Sequence, residues 1–343
     1  MKTYFNLEKK YSVKYFIIAT IIISISVCFI VNNLYKIKQE EENLISASSF
    51  KCNYDIKRLE GYKFIKPLMF IDDECESENL NDLKQQVTSI VDKYKISGDL
   101  NNASVYVREF KSNTWTTIND GLKYDPGSIF KVPVMIAILK MNELNPGFLN
   151  KTIMYSKNIN DGKNVAYDDK SIVLGNTYTI RELLTYMIKY SDNKATILLE
   201  NQMDSRILQK LFKDVGLEVP NIYASQYQFT PKEYSYFMRA IYNAAYLTSE
   251  DSEFAAELLS QTNFKDGILK GLPSNTNVAH KFGESGNQIE KQLHESALVY
   301  LHNKTYLLTI MTRGKENSKL SQVLAEISQT VYNFMKNDEI SMM

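Results

Sequence analysis

A serine and a lysine stand three residues apart near the start of the apolar run Tyr124–Lys140, YDPGSIFKVPVMIAILK. Three residues is just under one helical turn, so on a helix Ser128 and Lys131 share a face. A serine hydroxyl is a weak nucleophile until a base within hydrogen-bond reach takes its proton. Lysine serves as that base when burial or a neighbouring charge lowers its pKa. Residues 129–139 are apolar on nearly every face, so this helix is expected to be central in its domain and its lysine buried. The helix N-terminus also offers free amides and the positive end of a dipole, which suit an oxyanion formed by attack on a carbonyl.

Alone, S-x-x-K specifies little, because Ser48 with Lys51 and Ser191 with Lys194 match it too. Its company carries more weight. The triplet SDN stands at Ser191–Asn193, after a helix opened by Thr179 and Glu182 in capping-box register. The run HKFGES stands at His280–Ser285, in a segment that reads as a late strand. Taken alone SDN is an ordinary helix cap. In this order the three resemble the penicillin-recognising serine enzymes, the class A β-lactamases and penicillin-binding proteins, which carry S-x-x-K, S-D-N and K-T-G. The resemblance spans roughly Leu80 to Met335.

That resemblance implies an α+β fold of the β-lactamase/transpeptidase type, an antiparallel sheet flanked by helices with an all-helical subdomain inserted. It implies Ser128 as nucleophile, Lys131 as base and Ser191 as proton relay to the leaving nitrogen. Asn193 would bind the substrate amide, Lys281 a substrate carboxylate, and the amides of Ser128 and of Glu284, following Gly283, the oxyanion. The implied substrates are β-lactams or the D-alanyl-D-alanine ends of cell-wall peptides, with no cofactor.

Two departures matter. Phe282 stands where the family carries a hydroxyl residue that helps hold the substrate carboxylate; Ser285 or Arg313 is a candidate replacement, Arg313 being equally a solvated strand-end charge. The class A glutamate that activates the deacylating water has no counterpart, since GLEVPNIYASQYQFTPKEY contains no E-x-x-L-N and its Glu218 and Glu233 lie early and late. An acyl group on Ser128 is therefore expected to persist. His294 reads either as an aid to proton transfer or as a polar edge residue. The competing reading is a catalytically silent relative that serves in cell-wall binding or assembly. Three dispersed histidines give no metal-ligand cluster.

The elements that must position these residues can be read from periodicity. NLNDLKQQVTSIVDKYK has helical spacing, ASVYVREF and TWTTIND alternate as hairpin strands, and further helices are expected at 195–201, 205–212, 231–246 and 253–259. Three strands, TNVAHKF, ESALVYL and TYLLTIMTR, precede a closing helix from Ser318 to Met335. This order predicts one sheet built from both ends of the chain, with a cleft beside the inserted helices.

With 343 residues and 44% hydrophobic content the chain can bury a large core, and equal numbers of basic and acidic residues, 40 each, argue against a nucleic-acid partner. Residues 15–31 have bilayer length and are preceded by four lysines, which puts residues 1–14 in the cytoplasm. A retained anchor and a cleaved signal peptide both fit; no small-x-small site is found after Val31, which favours the anchor. Residues 32–50 are polar and read as a stalk, 51–79 as a linker, and 80–338 as the catalytic domain outside the membrane. In an exported setting Cys52 and Cys75 form a candidate disulfide pinning that linker, the alternative being two free thiols, and Cys28 is a membrane-facing thiol.

Overall fold

The computed structural model describes residues 4–47, 53–160, 170–219 and 227–341. The chain divides into two compact units, Met1–Asn53 and Tyr54–Met343. The first holds one helix, α1 (Tyr4–Ala47), in which Tyr15–Lys36 is long and apolar enough to cross a bilayer, as an anchor or a signal sequence would be. Its Thr20 and Ser26 hydroxyls donate back to the carbonyls of Ile17 and Ile22, so neither is left without an acceptor. Cys28 is free and exposed.

The second unit starts with an antiparallel ribbon, β1 (Tyr54–Arg58) and β2 (Leu68–Asp73). Next come α2 (Asn81–Ile96), β3 (Leu100–Glu109), β4 (Trp115–Ile118) and α3 (Lys131–Leu144). A helical region is inserted here: the small ladder β5 (Thr152–Met154) and β6 (Thr177–Thr179), then α4 (Ile180–Lys189), α5 (Asn193–Glu200), α6 (Ser205–Asp214), α7 (Pro231–Tyr242) and α8 (Ser249–Ser260). The chain ends with β7 (Asn277–Gly286), β8 (Lys291–Tyr300), β9 (Thr305–Gly314) and α9 (Asn317–Ser341). The main sheet has the order β4-β3-β9-β8-β7, antiparallel throughout, so strands from both ends of the unit are joined between β3 and β9. The expected α+β architecture is the one observed.

Helices cover both faces of the sheet, which is why Leu293 to Val299 of β8 are buried without alternation. On one face Leu83, Val87 and Val91 of α2, one turn apart, meet Leu320, Leu324 and Ile327 of α9. On the other, α3 is buried from Lys131 to Leu139 among α4, α6 and α7, as its uniformly apolar sequence requires. The expected capping box at Thr179 and Glu182 is present, and a second opens α7 at Thr230 and Glu233. Helix α7 stops at Tyr242, short of the expected Tyr246: Ala244 takes φ 46° and the Ala245 amide donates back to Ala240, a left-handed C-terminal cap.

The ribbon of residues 54–73 occupies the stretch expected as a linker. Asp72 fixes it, accepting from Arg239 at 3.0 Å and from the Tyr236 hydroxyl at 2.9 Å, with Arg108 at 3.4 Å. Burial would raise the Asp72 carboxyl, but the charges of Arg239 and Lys232 and the hydrogen bonds from Tyr236 and Arg239 hold it below the usual carboxylate range. Cys75 is disulfide-bonded; Cys52, its expected partner, lies outside the described residues.

His294 of β8 bolts the sheet to the segment before Ser128. The Thr312 amide donates to Nδ1 at 3.1 Å, so Nδ1 carries no proton, and Nε2–H donates to the Asp125 carbonyl at 2.9 Å. With both nitrogens held by backbone and the ring fully buried on an inner strand, His294 is structural, neither a polar edge residue nor an aid to proton transfer, the two readings its sequence left open. Burial lowers its pKa to about 3 from 6.5. Between those values the unfolded chain binds the extra proton. Stability is therefore expected to fall, as pH drops from 6.5 towards 3, by roughly 1.4 kcal/mol per pH unit from this group alone. Denaturant titrations at pH 7 and pH 4 check this: the wild-type loss should exceed that of His294→Gln, and equal losses would contradict it.

Candidate active site

Ser128 sits in a 3-10 turn, Gly127–Phe130, that runs directly into α3. The turn is held from outside by the Tyr234 hydroxyl, which donates to the Ile129 carbonyl at 2.9 Å, and by paired backbone bonds between Tyr124 and Phe229. Strand β7 crosses hard against it. A Cβ on Gly283 would lie 2.5 Å from the Ile129 amide nitrogen and 2.8 Å from that of Ser128. A Cβ on Gly127, which has φ 51°, would lie 2.1 Å from the Glu284 carbonyl oxygen. Only glycine fits at either position, and the crossing brings the Ser128 amide beside the Gly283–Glu284 segment.

One helical step inward, Lys131 is buried and donates to three acceptors: the Ser191 carbonyl, the Ser191 hydroxyl at 3.2 Å and Asn193 Oδ1 at 2.8 Å. Ser191 presents carbonyl and hydroxyl to the same amine because its backbone is left-handed, φ 56°, a strained conformation for a residue with a Cβ. The next residue holds that strain. Buried Asp192 caps α5 through the Lys194 amide at 2.8 Å and accepts from the Ile172 amide at 2.8 Å. SDN is thus both a helix cap and part of the cluster.

Lys281 reaches Ser191 from the sheet side. Its Nζ donates to the Ser191 hydroxyl at 2.9 Å and to the Phe282 carbonyl at 3.0 Å, and lies 4.2 Å from the centre of the Phe282 ring. Complete burial, then the Lys131 charge, push its pKa well below 10.5, against weaker upward pulls from Glu295 and Glu284. A hydroxyl flanked by two buried amines, one of which favours the neutral state, is suited to passing protons.

Side-chain contacts join Lys131, Ser191, Asn193 and Lys281, and the strand crossing sets Gly283 and Glu284 against the Ser128 turn. The substitutes for the family's carboxylate-binding hydroxyl are engaged elsewhere. Ser285 donates to the Asp125 carbonyl at 2.9 Å, and Arg313 donates to the Lys123 carbonyl while lying 4.7 Å over the Tyr124 ring. Phe282 stacks on Phe264, ring centres 4.3 Å apart. Glu284 accepts from Asn317 at 2.7 Å. Glu233 is used in the cap of α7, and much of the loop after Glu218 lies outside the described residues. Among the described residues no group of three His, Cys, Asp or Glu could hold a metal.

Sequence reasoning missed the pair behind Lys281. His280 Nδ1 and Glu295 Oε1 are 2.6 Å apart, both fully buried, and Glu295 Oε2 accepts from the Ile268 amide at 2.6 Å. Gly267 leaves room for that carboxylate, since a Cβ there would stand 2.0 Å from Oε2. The available signal was alternation: a histidine beside the β7 lysine must point into the opposite, apolar layer and needs a partner there.

The pattern that defines the beta-lactamase enzyme family matches residues 82–335. Beta-lactamase VEB-1 of Pseudomonas aeruginosa is 26% identical over 260 residues, covering 69% of this chain and 87% of that one. Among solved structures, a mutant of PBP-A captured as an acyl-enzyme with penicillin G is 19% identical, covers 75% of this chain and 97% of its own, and superposes with a TM-score of 0.63. A class A beta-lactamase from Mycobacterium abscessus is 18% identical, with 74% and 99% coverage and a TM-score of 0.62. A family match over that much of the sequence, on a sheet joined from both ends of its unit, settles the kinship: the chain belongs to the beta-lactamase enzyme family of serine hydrolases.

Proposed function

We propose that this protein is a membrane-anchored serine hydrolase, its catalytic domain outside the cytoplasm, that forms an acyl-enzyme at Ser128 with β-lactams or D-alanyl-D-alanine peptides and releases it slowly. The observation that carries the reading is the convergence of Lys131 and Lys281 on the Ser191 hydroxyl beside the Ser128 turn. The Ser128 hydroxyl proton passes to a neutral Lys131 amine as Oγ bonds to the substrate carbonyl carbon. The amides of Ser128 and Glu284 receive the oxyanion. When the carbon–nitrogen bond breaks, Ser191 passes a proton from the lysine pair to the leaving nitrogen. Asn193 keeps its amide NH2 for a substrate carbonyl while its Oδ1 holds Lys131.

The substrate's own carboxylate fits into this scheme. An anion beside Lys281 favours its ammonium form. Ser191 gives its hydroxyl proton to Lys281 and takes one from the Lys131 ammonium, so the serine ends neutral and Lys131 is left as the free base. Slow release is the consequence of the missing E-x-x-L-N glutamate. The apolar helix and its preceding lysines support an anchor at residues 15–31, a stalk over 32–50, and export of the C-terminal remainder of the chain, with a bridge between Cys52 and Cys75.

Incubation with a penicillin and intact-protein mass spectrometry tests the proposal. An adduct lasting minutes is expected, absent in Ser128→Ala and formed about 10²-fold more slowly, or less, in Lys131→Ala. Rapid turnover without an adduct would refute slow deacylation. A folded protein with no adduct at any concentration would favour a silent cell-wall binding role.

Gly283→Ala tests the strand crossing. Its methyl group must push β7 off the Ser128 turn, so acylation is expected to slow by roughly 10²-fold and the Tm to fall. Gly121→Ala, which has open space around it, should change neither. Equal behaviour of the two variants would remove the crossing from the account.

A further inference from the structure

We infer that the β1–β2 ribbon is a second membrane contact, lying on an anionic phospholipid surface and orienting the catalytic unit. Its inner side is tied down: Leu59, Met69 and Phe70 are buried, the Phe70 ring packs 5.2 Å from that of Tyr236, and the Arg239 guanidinium lies 4.1 Å over it. Its outer side is exposed. Ile56 and Ile71 face each other across the ribbon, both exposed, and Tyr54 and Leu68 extend the apolar surface along it. The connecting tip, GYKFIK, exposes Tyr62, Phe64 and Ile65, with Phe64 at 86%.

Among the described residues outside α1, seven of the fifteen exposed large apolar side chains fall in this ribbon, and the others are dispersed. Scattered apolar residues need no explanation, but a contiguous patch marks a contact surface. Charge selects the occupant. Lys63 and Lys66 are interleaved with the aromatic and aliphatic residues of the tip, residues 61–66 hold no acid, and Glu60 just before them is paired with Lys213 at 3.3 Å. Aromatic rings and lysines alternating on one surface are the composition of a membrane interface, where rings enter the headgroup layer and ammonium groups meet lipid phosphates. A second copy of the chain would bring lysine against lysine.

Connectivity supplies the reach. The bilayer-length stretch ends at Lys36 and α1 runs eleven residues further to Ala47, about 17 Å of helix; the seven positions from there to Tyr54 span at most about 25 Å, enough to return to the bilayer surface. The inference rests on the anchor reading, which keeps the ribbon at high effective concentration near the bilayer, so a patch too weak to bind alone can dock.

The test uses the full chain carrying Phe64→Trp, in vesicles of phosphatidylglycerol and phosphatidylcholine with brominated acyl chains. The native chain has one tryptophan, Trp115, which is buried and sets the baseline. The introduced indole should lose at least half its emission relative to vesicles without bromine. Adding Lys63→Glu and Ile65→Glu should abolish that loss. Flotation of the vesicles is measured in parallel. A chain that floats but shows an unquenched indole overturns the ribbon contact while leaving the anchor standing, and a chain that does not float overturns both. An indole shielded equally in detergent micelles, in a chain that sediments as a dimer, assigns the surface to a second copy and also overturns the inference.

Discussion

Two lysine amines meet at one serine hydroxyl, and the rest of the catalytic unit is arranged around that meeting. Lys131 and Lys281 lie 3.2 and 2.9 Å from Ser191 Oγ, and both are buried. Two full ammonium charges at such spacing in a low-dielectric interior repel strongly. The arrangement is stable when one proton is absent, and the group from which burial removes it is Lys281. A neutral Lys281 amine can take up a proton through the Ser191 hydroxyl, and that exchange is what would free Lys131 to act as the base proposed for Ser128.

That demand accounts for features far from the serine. The left-handed Ser191 is held by Asp192, whose two carboxylate oxygens accept from different segments. Strand β7 must carry Lys281 to the hydroxyl and then pass the Ser128 turn without a side chain, so Gly283 and Gly127 face backbone at less than van der Waals distance from any added methyl. The neutral imidazole of His294 ties β8 to Asp125, so sheet and turn keep one spacing. On the far side of β7 the His280–Glu295 pair fixes the strand to the turn at Ile268.

The fold was largely legible in the sequence because its signals are local. Capping boxes at Thr179 and Thr230, the apolar run of α3, and three runs rich in β-formers near the end of the chain each specify an element without reference to the others. The ribbon of residues 54–73 was hidden because its apolar residues face both ways, inward at Phe70 and outward at Phe64, and show no single period. The motif residues of the site were legible as types and order, but their electrostatics were not. The lowered pKa of Lys281 was not legible, because it comes from complete burial and from the Lys131 charge, and the hydroxyl that joins the two amines lies 90 positions away in sequence. His294 illustrates the same limit, since its two backbone partners come from different strands and loops.

The central claim is that Lys281 shares Ser191 with Lys131 and gives up its proton early. Titration of the full chain with isotopically labelled lysine, monitored through the side-chain resonances and assigned through their loss in Lys281→Arg, measures this directly. The account predicts that Lys281 deprotonates well below 10.5 in the free protein and at higher pH once a substrate carboxylate is bound. Two lysines that both titrate at or above the ordinary lysine range, unchanged by ligand, would contradict it.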